Sequence, residues 1–223
     1  SYDRGTRFVL SREVYQATAP NLLWFTVLSS LVSLVIIRIV VVTALSYGLS
    51  RYALDAVVRV LVLELIPLTA AMFVALRCAI PNAAEIAALR ATGEFDALAQ
   101  QGISPLRREV LPRMIAGMFS MLMLATVSCV VALILAYMSV HGLTGAAFAS
   151  YTRAVGHVFT PAVVLIFTLK TFFFSLAVAL IPIATVVYET RERRRTSVEL
   201  QGLVRLFSAI LLIEVASLIG NYY

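Results

Sequence analysis

Residues 21–45 read NLLWFTVLSSLVSLVIIRIVVVTAL, an apolar run in which Arg38 is the sole charge. About 20 such residues in a helix cross the hydrocarbon of a bilayer. The run lacks the apolar–polar alternation over about ten residues that a transmembrane strand needs. The same character returns at 57–80, 114–138, 159–187 and 201–222. The sequence therefore predicts an all-α integral membrane protein with five transmembrane helices. Composition agrees: 61% of residues are hydrophobic, 13% are charged and the mean hydropathy is +0.94, whereas soluble domains carry about a quarter charged residues. A water-soluble globule is excluded.

The basic residues set an expected orientation, because Lys and Arg collect in short cytoplasmic loops and acidic residues matter little. Arg4, Arg7 and Arg12 precede the first run; Arg51 follows it, with Arg59 just inside the second. The second loop holds Arg90, Arg107, Arg108 and Arg113, the third Arg153, and the fourth Arg191, Arg193, Arg194 and Arg195. Rich and poor segments alternate, which predicts a cytoplasmic N-terminus and an outer C-terminus. The net charge of +6 and pI near 9.7 are explained by these loops and by anionic headgroups, so nucleic acid is not an expected partner. Residues 1–19 mix Phe8, Val9, Val14 and Tyr15 with Arg12 and Glu13, a pattern that suits an interfacial helix on the inner membrane surface. The first apolar run starts near residue 20 and shows no cleavage-site pattern, so no cleavable signal is expected.

The residues offer little catalytic chemistry. Cys78 and Cys129 lie within apolar runs, where a thiol behaves as a small hydrophobe. His141 and His157 in the third loop have neither a nearby Cys nor an HExxH spacing, so no metal site is expected. There is no GxSxG and no GxxxxGK[ST] sequence, so ATP cannot be bound by a Walker-type loop in this chain.

Residues 81–112 form the longest polar interval between runs, and they carry helix signals. Asn82 with Glu85 reads as a capping-box-like start, and Gly102 with Ser104-Pro105 as the stop. Ile86, Leu89, Phe95 and Leu98 alternate with Glu85, Arg90, Glu94 and Asp96, predicting a short amphipathic helix over 82–102 with a break at Gly93. A loop that only joined two spans would need a few residues. On composition alone this helix could rest on lipid or contact a cytoplasmic protein.

The run Ala84-Glu85-Ile86-Ala87-Ala88-Leu89-Arg90-Ala91-Thr92-Gly93-Glu94-Phe95-Asp96-Ala97-Leu98, followed by Gly102-Ile103-Ser104-Pro105 and Leu111-Pro112-Arg113, resembles the signature of the MlaE/YrbE family of ABC-transporter permeases. Leu63-Glu64-Leu65-Ile66-Pro67 resembles that family's RELGP element and Leu169-Lys170-Thr171 its LK-(S/T) element. The chain departs from the pattern at Leu63, Ile66, Leu76 to Ala79 and the arginine-rich loop from Tyr188 to Thr196. The resemblance implies that 82–102 is a cytoplasmic coupling helix docked on a separate ABC ATPase subunit, which would carry ATP and Mg. Glu85, Arg90, Glu94 and Asp96 would supply its polar contacts, and Phe95 and Leu98 its apolar anchors. It further implies a second permease copy or paralogue, an MCE-domain protein, sometimes a small accessory protein on the ATPase, a phospholipid-like substrate, and a bacterial inner-membrane location.

Arg38, Arg59, Glu64, Arg77, Lys170, Arg205 and Glu214 fall within or at the edges of the runs. Such charges cost about 2.5 to 3.5 kcal/mol at a helix centre and should face the bundle or a wet cavity. Glu64 and Lys170 lie about 10 Å and about 16 Å from the expected outer surface, close enough in level to pair. Such a pair either fixes helix register or lines a cavity for a charged headgroup. Arg59, Arg77 and Arg205 are near enough to ends to snorkel. Pro67 and Pro182 remove backbone hydrogen bonds from the second and fourth runs, which shapes a cavity or improves packing. Tyr47, one turn beyond Thr43, suits an interfacial tyrosine belt; by resemblance this region borders the lipid cavity.

The expected function is thus the permease subunit of an ATP-driven lipid transporter, with substrate-path candidates Thr43, Tyr47, Glu64, Pro67 and Lys170. The alternative is a non-transporting membrane scaffold that recruits a cytoplasmic partner through the second loop. A secondary transporter fits less well, since no inverted repeat is visible. Reporter fusions test the orientation: alkaline phosphatase fused after residue 102 should be inactive and after residue 145 active. The opposite pattern would invert the topology.

Overall fold

The structure is a computed structural model that describes residues 2–142, 145–188 and 195–222. The expectations for Arg191, Arg193 and Arg194, and most of the Tyr188 to Thr196 loop, lie outside the described residues. Among the described residues the chain forms helices and no strands. Five helical stretches are long and apolar enough to cross a membrane: Ser11–Ser46, Tyr52–Ala91, Leu106–His141, Pro161–Tyr188 and Gln201–Asn221. The protein is an all-α integral membrane protein.

Helix α1 (Tyr2–Ser46) passes through Pro20 without a break. Residues 2–19, expected as a separate interfacial element, are therefore continuous with the first span. Pro20 disturbs the local backbone ladder, and side chains converge on the carbonyl of Ala17 one turn earlier. It accepts from Asn21 Nδ2 at 2.8 Å and from Ser120 Oγ of the third span at 3.1 Å. Asn21 Oδ1 in turn accepts from Arg77 Nε at 3.3 Å. At its far end α1 closes with Gly48 at φ +71°. Leu49 N donates to Ala44 O and Gly48 N to Leu45 O, the paired bonds of a Schellman motif.

The second span is one helical path of changing pitch: α2 (Ser50–Val57), a π-helical stretch (Val58–Leu65), α3 (Ile66–Val74), a second π stretch (Ala75–Ala79) and α4 (Ile80–Ala91). The expected helix start at Asn82 is absent. Ala79 already has helical φ −68° and ψ −42°, and no side chain caps α4. A helix that continues from the membrane has no orphan N–H groups for Asn82 to cap. The expected break at Gly93 is present: Gly93 adopts φ +81° and separates α4 from α5 (Glu94–Gln100). The expected stop is present too. Ile103 N donates to Leu98 O and Gly102 N to Ala99 O, with Gly102 at φ +73°.

A π stretch (Leu106–Val110) leads into α6 (Leu111–His141). Beyond it come α7 (Phe148–Val158), α8 (Pro161–Tyr188), which runs through Pro182, and α9 (Arg195–Tyr222). The second span is the centre of the bundle: 61% of its apolar window is buried, against 17% for the first span. It joins two cores. One gathers Phe25, Ala70, Val74, Met121, Phe174 and Leu206; the other Ile37, Val58, Leu61, Cys129, Tyr151 and Val163.

Small residues permit this close packing, as expected where lipid removes the usual hydrophobic drive between helices. On α6 the small residues Ala116, Ser120, Ser128, Ala132 and Ala136 lie in one row at four-residue steps, interrupted by Leu124, and all are buried. The α7 helix covers one end of the bundle. There Tyr151 donates to Leu133 O at 2.7 Å and meets the Tyr137 ring edge-on at 5.0 Å. Burial pushes the Tyr151 phenol up to about 12.

The two-helix turn around Gly93 has a testable conformational demand. Gly93→Ala should lower stability by about 1 to 2 kcal/mol, because an L side chain resists the left-handed region. Gly156→Ala, in α7 with open space around it, should be neutral or stabilising by up to about 1 kcal/mol. Thermal unfolding of the two purified variants against wild type measures both.

Candidate functional site

The site begins with a backbone defect. Pro67 has no N–H to give the carbonyl of Leu63 four residues earlier. In the same stretch Ile66 N donates to Leu61 O, the longer reach of a π turn, so Val62 O also lacks its α-helical partner. In lipid such groups must be satisfied from within the protein. Lys170 Nζ of α8 donates to Leu63 O at 3.2 Å, and Cys129 Sγ of α6 donates to Val62 O at 3.5 Å.

Lys170 also donates to Glu64 Oε2, and Glu214 Oε2 of α9 lies 2.8 Å from the same ammonium. Asn221 Nδ2, two turns along α9 from Glu214, donates to Glu64 Oε1 at 3.3 Å. The Lys170 side chain is 1% exposed and the two glutamates 12%. The ammonium also sits 5.8 Å from the centre of the Phe174 ring, where a cation meets the negative face of the π system. One buried cation thus joins the second, fourth and fifth spans through two carboxylates and a carbonyl.

The structure brings Glu64, Pro67 and Lys170 together, as their levels in the membrane suggested. Thr43 and Tyr47 are exposed at the end of α1 and make no side-chain bond to this cluster. Glu214 and Asn221 complete the cluster and were not among the candidates. Their signal was present, since Glu214, Ser217 and Asn221 fall on one helical face at i, i+3 and i+7, but their partner could not be assigned without tertiary structure.

A second candidate region lies around α4 and α5. Ile86, Val110 and Ile183 are buried together, with Phe95, Met114, Val186 and Val187 packed against them. This small core seats the α4–α5 turn on the ends of the third and fourth spans. Arg90 Nη1 donates to Val186 O at 2.7 Å, a carbonyl in the last turn of α8, where a helix runs short of its own donors. Glu85 meets Arg113 at 3.5 Å, and Arg113 also holds Glu109 at 3.1 Å. Glu85, Arg90 and Phe95 therefore have partners inside the protein. Glu94 and Asp96 stay exposed in the first turn of α5, where negative charge suits the helix N-terminus, and Leu98 is half-buried.

Five apolar helices that bury an ion cluster between them, with a structured two-helix segment at one end, make a multi-pass membrane protein. Residues 10–219 match the family model described as Permease MlaE, and the chain belongs to that family. A comparison with curated proteins gives no match.

The ion cluster predicts an asymmetric response to mutation. Lys170→Met leaves the two buried carboxyl groups without their cation and should cost about 3 to 5 kcal/mol, as removal of one partner from a buried pair does. The triple variant Glu64→Gln/Lys170→Met/Glu214→Gln should recover most of that loss. Thermal melting in detergent distinguishes this from a cluster without structural weight, for which all variants would melt alike.

Proposed function

We propose that the chain is the membrane-spanning subunit of an ATP-driven lipid transporter. It would move phospholipid or a similarly hydrophobic substrate between the bacterial inner membrane and an MCE-type carrier. The family match over residues 10–219 carries this reading. The α4–α5 turn supports it, because a loop of joined helices seated on three spans is suited to receive force from a soluble partner.

In this mechanism a cytoplasmic ATPase subunit, holding ATP and Mg, docks on the exposed face of α5 through Glu94, Asp96 and Leu98. Phe95 would anchor the turn from below rather than face the ATPase. Force applied at α5 reaches the second span directly, since α4 is the end of that same helix. It reaches the third span through Glu85 and Arg113 and the fourth through Arg90 and Val186 O. The Glu64–Lys170–Glu214 cluster then makes the second, fourth and fifth spans move together. Movement of this kind requires contacts that differ between the ATPase states.

A second permease copy or paralogue completes the lipid cavity. Within one chain the cleft between α1 and the second span, lined by Phe25, Leu28, Ser29, Leu61, Ile66 and Thr69, has a volume of about 80 Å³. Even drug-sized ligands occupy pockets of about 300 to 1,000 Å³.

The test is co-purification with the co-expressed ATPase and lipid-stimulated ATP hydrolysis in liposomes. Wild type should form the complex and respond to lipid, while Glu94→Lys/Asp96→Lys should weaken ATPase binding by at least about tenfold, or 1.4 kcal/mol. A wild-type protein that binds neither ATPase nor lipid would sink the transporter reading in favour of a scaffold.

A further inference from the structure

The charges of the buried cluster do not balance. Lys170 supplies one positive charge, and Glu64 and Glu214 would supply two negative ones. An uncompensated carboxylate in hydrocarbon is costly, and two carboxylates on one site resist ionising together.

Among the described residues no other ionisable group is paired with the cluster. On the second span Arg59 is held by Asp55 at 3.0 Å, and Arg77 bonds Asn21. On α1, Arg38 is exposed. Helix α3 has no ionisable side chain. On α6 and α7 the buried Cys129 and Tyr151 bond Val62 O and Leu133 O. On α9, Arg205 precedes Glu214 by about 13 Å of helix.

Polar atoms at the cluster are also left unsatisfied. The Lys170 ammonium donates to Leu63 O and Glu64 Oε2, whereas the buried Glu214 Oε2, 2.8 Å from it, receives no hydrogen bond. Asn221 Oδ1 is buried and receives no hydrogen bond. Buried polar atoms are normally satisfied. A carboxylic acid O–H among these groups would provide a donor and remove the excess charge in one step.

We propose that the Glu64–Lys170–Glu214 cluster is a proton-binding site, holding one proton shared between the two carboxyl groups at neutral pH. With the proton bound the cluster is neutral and α9 stays attached to the second and fourth spans. Loss of the proton leaves a net negative charge between them and weakens that attachment. This inference concerns the chain alone and stands apart from the transport reading.

Infrared spectroscopy of the protein in liposomes, with glutamate carboxyls labelled with carbon-13, reads the proton directly. Wild type at neutral pH should show the isotope-shifted carbonyl stretch of one protonated carboxyl, and that band should fade as the pH is raised. Glu64→Gln and Glu214→Gln each leave one carboxylate for one ammonium, and both should lose the band. The glutamine at either position mimics the protonated acid in shape, so the variants should fold.

Absence of the band in wild type, or its survival in either variant, would overturn the proposal. Disappearance of the wild-type band on adding sodium at constant pH would also overturn it, marking a metal-cation site instead. The wild-type measurements need no variant to fold.

Discussion

The missing N–H of Pro67 is the constraint on which the middle of this protein depends. Water cannot repair a broken backbone ladder inside a bilayer, so the carbonyl at Leu63 must find a donor from another span. Lys170 provides it, and a lysine placed there needs carboxylates in turn. Glu64, one residue beyond the open carbonyl, and Glu214 from α9 supply them. A proline, a π stretch and three charges are thus parts of one arrangement, and it links three spans that are distant in sequence.

The same reasoning applies near the other end of the second span. The backbone around Pro20 in α1 is bonded by side chains from its own helix and from α6. The second span is the common partner of both cores, and its helix leaves the apolar zone as α4 without a cap. A span that continues into the second loop forms a stiff connection from α5 to the bundle centre. Separate elements joined by a flexible linker would not.

Much of the architecture was legible in the sequence. Apolar runs located the five spans because lipid imposes a length and a composition on any crossing helix. Gly93 and Gly102 announced the break and the stop of the second loop because the left-handed conformation favours glycine. Asn82 misled, since a capping residue signals a helix start only where the preceding chain is not already helical. The join between residues 2–19 and the first span was hidden because the change from mixed to apolar composition near residue 20 looks like an element boundary, although the helix runs through Pro20 unbroken.

The sequence by itself determined that this chain is a five-span helical membrane protein, and that Glu64 and Lys170 lie at similar depth. Those properties follow from local composition and from the rise of a helix. Only the tertiary structure decided that Glu214 and Asn221 join that pair. It alone showed that Arg90 and Phe95 face the protein's own spans and that the exposed Glu85 reaches Arg113, while Glu94 and Asp96 remain exposed. The reason is physical: a helical pattern defines which residues share a face, but which neighbour that face meets depends on packing among helices distant in sequence.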